Sequence, residues 1–172
     1  MKNWKFIMSV LVTIGIVIAF VTCDNGKNDP VHICDWGNWV ITVFPDEDSP
    51  GEETKICKID ASHIETRSLD LETFKTYFYG TWKWINPDDS NEWQQMVITE
   101  TTFHIHSSTA VDNRVGNITL WLMEPNHDDN KDDYPLGYQI YYNDENNIFI
   151  GYIHANKESI FRYNQGRIHI KQ

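Results

Sequence analysis

Between Thr81 and Lys171 the chain repeats one pattern, a short run rich in β-branched and aromatic residues followed by a polar turn. Eight such runs are readable, at 81–85, 94–99, 102–106, 117–124, 137–142, 147–154, 159–163 and 167–171. Most alternate with period two, the spacing at which successive side chains leave opposite faces of a strand. Met96 and Ile98 share a face, as do Phe103 and Ile105. In the longest run Ile118, Leu120 and Leu122 oppose Thr119, Trp121 and Met123, so both faces are largely apolar. Turn residues separate the runs: Asn86-Pro87-Asp88-Asp89, Asp112-Asn113, the stretch 143–147, and Asn164-Gln165-Gly166. Even spacing with hairpin-length loops confines such a chain to an antiparallel barrel or sandwich. Closure also removes the edges through which an open sheet aggregates. The expectation is an all-β protein, with a small eight-stranded antiparallel barrel over residues 80–172.

The opening of this region, Gly80-Thr81-Trp82, resembles the Gly-x-Trp start of lipocalin-like barrels, and its shortness resembles the miniature domains of small bacterial lipoproteins. The resemblance implies that Trp82 plugs one end of the barrel under a basic residue from the end of the chain, Arg162 or Arg167. Aromatics crowd this region, among them Trp121, Tyr138, Phe149 and Tyr152. They suit either a pocket for a small apolar molecule or an interior filled by side chains.

Residues 31–68 form a different unit. Two strand-like runs, 39–44 and 54–59, flank the turn residues Pro45-Asp46-Glu47-Asp48-Ser49-Pro50-Gly51, which reads as a short β-hairpin module. About 40 residues bury too little surface to stand unaided, so a crosslink or a metal is expected. His32, Cys34, Cys57 and His63 offer both. A Cys34–Cys57 disulfide would close a loop of about 24 residues and contribute about 3 kcal/mol. Alternatively the two thiols and two imidazoles would close a tetrahedral zinc site, the one cofactor this sequence brings into view. The unit resembles a repeat module of bacterial surface proteins, on His32, Cys34, Trp36-Gly37-Asn38-Trp39, Gly51, Cys57, His63 and Glu65-Thr66-Arg67. That resemblance implies a cell-surface accessory role and no catalysis. Residues 69–79 read as a connector with a helical turn or two.

Residues 1–22 read as a leader. Lys2 and Lys5 precede an uncharged run from Phe6 to Val21, which is 16 residues and short for a membrane span of about 20. Phe20-Val21-Thr22-Cys23 then meets an abruptly polar tether over residues 23–30. The arrangement resembles a bacterial lipoprotein signal, with Phe20 and Thr22 standing where Leu and a small residue are usual. It implies acylation of Cys23, anchoring in the cell envelope and a periplasmic or outward-facing protein. Of three cysteines, Cys34 and Cys57 then remain as a pair. Losing the leader takes the basic residues from 14 to 12 against 25 acidic ones, and the net charge from −11 to −13. Such a surface repels phosphate backbones, so nucleic acid is not an expected partner. The expected partners are the membrane and either a small apolar molecule or another surface protein.

His104 and His106, two apart on one strand, leave the same face and could chelate a transition metal with a third arm from His154 or His169. With Phe103 and Ile105 facing inward, the pair belongs on the outside. The carboxylate-crowded loops 124–133 and 88–92 read as solvated loops. No Gly-x-Ser-x-Gly, His-Glu-x-x-His or phosphate-cradling glycine loop is present, and no enzyme activity is expected. The overall reading is a non-catalytic envelope lipoprotein that binds or interacts at a surface. Its variants are a small-molecule carrier, a filled adhesive module, and a metal binder using His104 and His106.

Overall fold

The computed structural model describes residues 32–109 and 113–172. The leader, Cys23 and the tether lie outside the described residues. No helix among the described residues is long and apolar enough to cross a membrane.

The N-terminal unit is a three-stranded antiparallel sheet of β1 (Val40–Val43), β2 (Gly51–Ile56) and β3 (Ile64–Leu69), in the order β1-β2-β3. The first two strands are the expected hairpin. β3 is an addition to it, and its residues Ile64–Arg67 are all exposed, which is why its hydrophobic pattern is faint. Gly51 at the start of β2 sits so close to the Val43 carbonyl and to Pro45 that no side chain fits there.

α1 (Leu71–Thr76) follows, capped by Asp70, whose carboxylate accepts from the Thr73 amide at 2.7 Å. Eight strands come next: β4 (Gly80–Ile85), β5 (Trp93–Ile98), β6 (Thr102–Ser107), β7 (Arg114–Pro125), β8 (Leu136–Tyr142), β9 (Asp144–Ile153), β10 (Ser159–Arg162) and β11 (Arg167–Lys171). Each pairs antiparallel with its chain neighbour, and β11 returns to β4, so the sheet closes into an up-and-down barrel. All eight expected runs are strands of this barrel, within a few residues at each end.

The interior follows the period-two reading. Trp82, Met96, Ile98, Phe103, Ile105, Ile140, Ile153 and Ile160 are fully buried in one core. Phe74 and Phe78 enter it from α1 and the turn after it, and Trp82 Nε1 donates to the Phe78 carbonyl at 2.8 Å. Tyr138 closes the same end, stacked tilted on Phe74 at 5.7 Å between ring centroids and donating its hydroxyl to the Leu71 carbonyl at 2.9 Å.

The longest run departs from simple alternation. The β7–β8 register shifts between Ile118 and Leu120, a bulge at Thr119. Before the bulge Ile118 packs on the core; after it Trp121 and Met123 do, while Leu120 and Leu122 are exposed. Ile118 therefore does not share a face with Leu120 and Leu122. Loop 126–135 is also more than a solvated connection. Asn126 donates to the Tyr134 carbonyl at 2.8 Å, and the buried Tyr134 packs with Tyr152 and Phe161 in a second cluster outside the barrel.

The small sheet and the barrel belong to one compact body over residues 33–172. Ile41 N donates to the Ala155 carbonyl at 2.9 Å, and Ile41 and Leu69 complete the barrel core. Glu53 on β2, fully buried, accepts from Arg67 Nε at 2.7 Å and from Lys157 Nζ at 2.6 Å.

Candidate functional site

The residues that carry donor chemistry converge at the far end of the three-stranded sheet. Cys57 directly follows β2 and is 1% exposed. The segment carrying Cys34 is tied to it by backbone bonds, from Gly37 N to the Ile56 carbonyl at 2.9 Å and from Lys58 N to the Asp35 carbonyl at 2.7 Å. A tight turn after β2 returns His63 to the same place, with Cys57 N donating to the His63 carbonyl at 3.0 Å. Asp60 shapes that turn by accepting from Ser62 N at 2.9 Å and Ser62 Oγ at 2.7 Å.

The outcome is a four-donor cluster. One ligand atom from each of His32, Cys34, Cys57 and His63 lies within 4.8 Å of all the others. Cys34 Sγ is 3.1 Å from His63 Nδ1, and the other ring nitrogen, Nε2, is 3.6 Å from the Asp60 carboxylate. Cys34 and Cys57 bring their sulfurs together in this cluster, beside both imidazoles. The Cys57 thiol beside it, and burial after that, push the Cys34 thiol up to about 11. Two soft sulfurs and two imidazoles are the donor set of tetrahedral thiolate sites, not of the oxygen-bound hard cations.

The neighbouring Trp-Gly-x-Trp stretch does a separate job. Lys55 Nζ lies 4.7 Å from the Trp36 ring centroid and 4.9 Å from that of Trp39, and Arg67 stacks over Trp39 at 4.4 Å. Glu65 pairs with Lys55 at 2.7 Å. These charges run along the sheet face as a ladder of cations on rings.

His104 and His106 are on the outer face as expected, their rings 4.3 Å apart. Their cross-strand partners are Val97, Val115 and Gln95, none of which ligates metals. The two third arms expected are elsewhere. His154 packs edge-on to Tyr134, and His169 is buried inside the barrel with Nε2 3.0 Å from Gln94 Oε1. Among the described residues these histidines are part of no cluster of three or more metal-ligating side chains.

At the Trp82 end, the cation over the indole is Lys171 on β11, 5.0 Å from the ring centroid. Arg167 lies instead over Trp84 at 4.0 Å and pairs with Glu92 at 2.9 Å. Arg162 is 3% exposed and donates to Gln94 Oε1 at 2.5 Å and Gln165 Oε1 at 3.0 Å. Arg162, Gln94 and His169 make up a buried polar layer above the aromatic core. Burial first, and then the Arg162 charge, push His169 down to about 3, so this imidazole is neutral.

Between the two ends the barrel is filled. Phe103 contacts Tyr142 and Phe149 at 4.8 and 4.9 Å, and these rings are at most 2% exposed. One open surface cleft is lined by Lys83, Ile85, Ile168 and Ile170, and another by Glu72, Lys75, Tyr79 and Glu100. The chain matches no family model, no curated protein and no solved structure.

Proposed function

We propose that this protein is a non-catalytic lipoprotein of the bacterial envelope, anchored through Cys23, in which a lipocalin-like barrel serves as a rigid scaffold and not as a carrier. The observation that carries this reading is the filled interior: Trp82, Met96, Phe103, Ile140, Tyr142 and Phe149 occupy the space a ligand would need. An eight-stranded barrel is just wide enough for side chains to fill. The scaffold's task is to hold the small sheet, with its Trp36, Lys55, Trp39 and Arg67 ladder, against another surface molecule. Aromatic and arginine side chains of this kind are enriched where proteins meet.

Two measurements test the reading. A hydrophobic fluorescent dye should gain no emission with the native protein, whereas a carrier would brighten it and release it on adding a fatty acid. Labelling cells with a radioactive fatty acid should mark the protein and fail with Cys23→Ala. Label retained by that variant, or a dye-binding native state, would remove the corresponding half of the proposal.

A further inference from the structure

We propose that His32, Cys34, Cys57 and His63 form a closed structural zinc site that pins the far end of the three-stranded sheet. The inference stands apart from the surface role above, since it needs neither the lipid anchor nor a partner.

Geometry carries it first. Zn–S bonds of about 2.3 Å and Zn–N bonds of about 2.0 Å put the ligands of a tetrahedral zinc about 3.3–3.8 Å apart. The four donors here lie within 4.8 Å of one another, with one S–N pair at 3.1 Å, so small rotations of side chains would centre an ion. The donors come from three separate pieces of chain, the 32–36 segment, the end of β2 and the turn before β3. Backbone hydrogen bonds already hold those pieces together. Four protein ligands leave no open position, as structural sites require and catalytic sites do not.

The surroundings agree. His63 turns Nδ1 to the cluster and Nε2 toward the Asp60 carboxylate, the orientation in which an outer carboxylate fixes a ligating imidazole. The site also falls where the fold is weakest. Near the barrel the sheet is held by Ile41, Leu69 and buried Glu53, but at the far end Ile56, Ile59 and Ile64 are 47%, 61% and 55% exposed. That end has almost no apolar core, and Cys57 is the one wholly buried side chain among the four donors. A metal cross-link there supplies what a small sheet cannot bury.

The test uses the full chain, purified without reductant, chelator or added metal. Elemental analysis should find one zinc per chain. Exchange for Co2+ should give the intense visible bands of tetrahedral cobalt with thiolate charge-transfer absorption in the near ultraviolet. Cys34→Ser and His63→Gln should each weaken zinc retention at least ~10-fold, the usual loss on damaging a site. The near-ultraviolet circular dichroism of the barrel aromatics reports whether either variant still folds. The double variant His104→Ala/His106→Ala should keep its zinc. If a Cys34 or Cys57 variant does not fold, alkylation of the wild type decides: unfolding in chelator should expose both Cys34 and Cys57 to reagent. A Cys34–Cys57 disulfide in that experiment overturns the proposal. So does a weak octahedral cobalt spectrum, a different resident metal, or zinc lost with His104 and His106 and not with Cys34 and His63.

Discussion

Glu53 is a wholly buried carboxylate on β2, the central strand of the small sheet, and it is ionised. Burial by itself raises its pKa, but Lys157, Tyr77 and Arg67 outweigh that and hold the carboxyl below its ordinary range. The Tyr77 hydroxyl responds in the opposite sense, pushed up to about 12 by burial and by the Glu53 charge. Lys157 reaches Glu53 from a left-handed backbone position, φ 64°, where glycine would be favoured. Lys157→Met should therefore destabilise the protein by about 2 kcal/mol in urea titrations, because the buried carboxylate keeps Arg67 but loses its second cation. Lys157→Gly loses the same ion pair but relieves the backbone, and should recover about 1 kcal/mol relative to the Met variant. Equal stability of the two would show that the turn carries no strain. None of this is legible in the sequence, where Glu53 is one of several acids after a Pro-Gly turn and Lys157 lies 104 residues away.

α1 is only six residues long, too short to persist in water on its own. Two features fix it. The Asp70 cap binds the Thr73 amide, which also holds the Asp70 carboxyl below its ordinary range, and Phe74 enters the barrel core fully buried. Asp70→Ala should lower the denaturant midpoint slightly, and Phe74→Ala should lower it by the equivalent of about 3–5 kcal/mol. A smaller loss for Phe74→Ala than for Asp70→Ala would mean that the helix is not the barrel's plug. β7 shows what a strand's own sequence leaves open. Alternation puts Ile118, Leu120 and Leu122 together, and the bulge at Thr119 separates them. A bulge is a property of the pairing with β8, where Thr119 Oγ1 donates to the Tyr141 carbonyl at 3.2 Å, and no residue of β7 alone announces it. The same is true of Gly116, where a side chain would have to displace that of Asn143 from the β8–β9 turn, which lies over it and donates to the Val115 carbonyl at 3.0 Å.

At the scale of the whole molecule, acid should be the weak direction. His169 falls from an ordinary 6.5 to about 3 on folding, so between those values the unfolded chain binds the extra proton. Its contribution is complete above about pH 6.5 and is lost progressively as pH falls toward 3, on the order of 4 kcal/mol at the bottom of that window. Glu53 adds a second loss lower down, below the ordinary carboxyl value of 4.5, because its folded pKa is depressed. Urea midpoints measured from pH 7 to pH 4 should fall steadily, and His169→Gln should flatten the upper part of that slope. A wild-type midpoint that is constant over this range would mean that His169 is not held neutral by the barrel. The filled core sets the opposite limit: stability near neutral pH rests on aromatic burial and should change little with salt, since few of the ion pairs lie in it.

Local chemistry was enough to read the eight barrel strands, the inward set of Met96, Ile98, Phe103 and Ile105, and the outward set of His104 and His106. Each follows from period-two alternation and turn residues, which act over a few neighbours. The four donors of the Cys/His cluster were legible as a set, because the same residue types had to meet near the end of one hairpin. What they could not carry was the third strand that returns His63 to Cys57, because β3 is exposed and has almost no apolar pattern. Tertiary structure alone decided that Lys171 covers Trp82, that Arg162 and His169 share Gln94, and that Lys157 neutralises Glu53. These are contacts between chain segments brought together by closing the barrel and docking the small sheet on it. Closure fixes which distant side chains become neighbours, and a linear pattern of hydrophobic spacing contains no record of that choice.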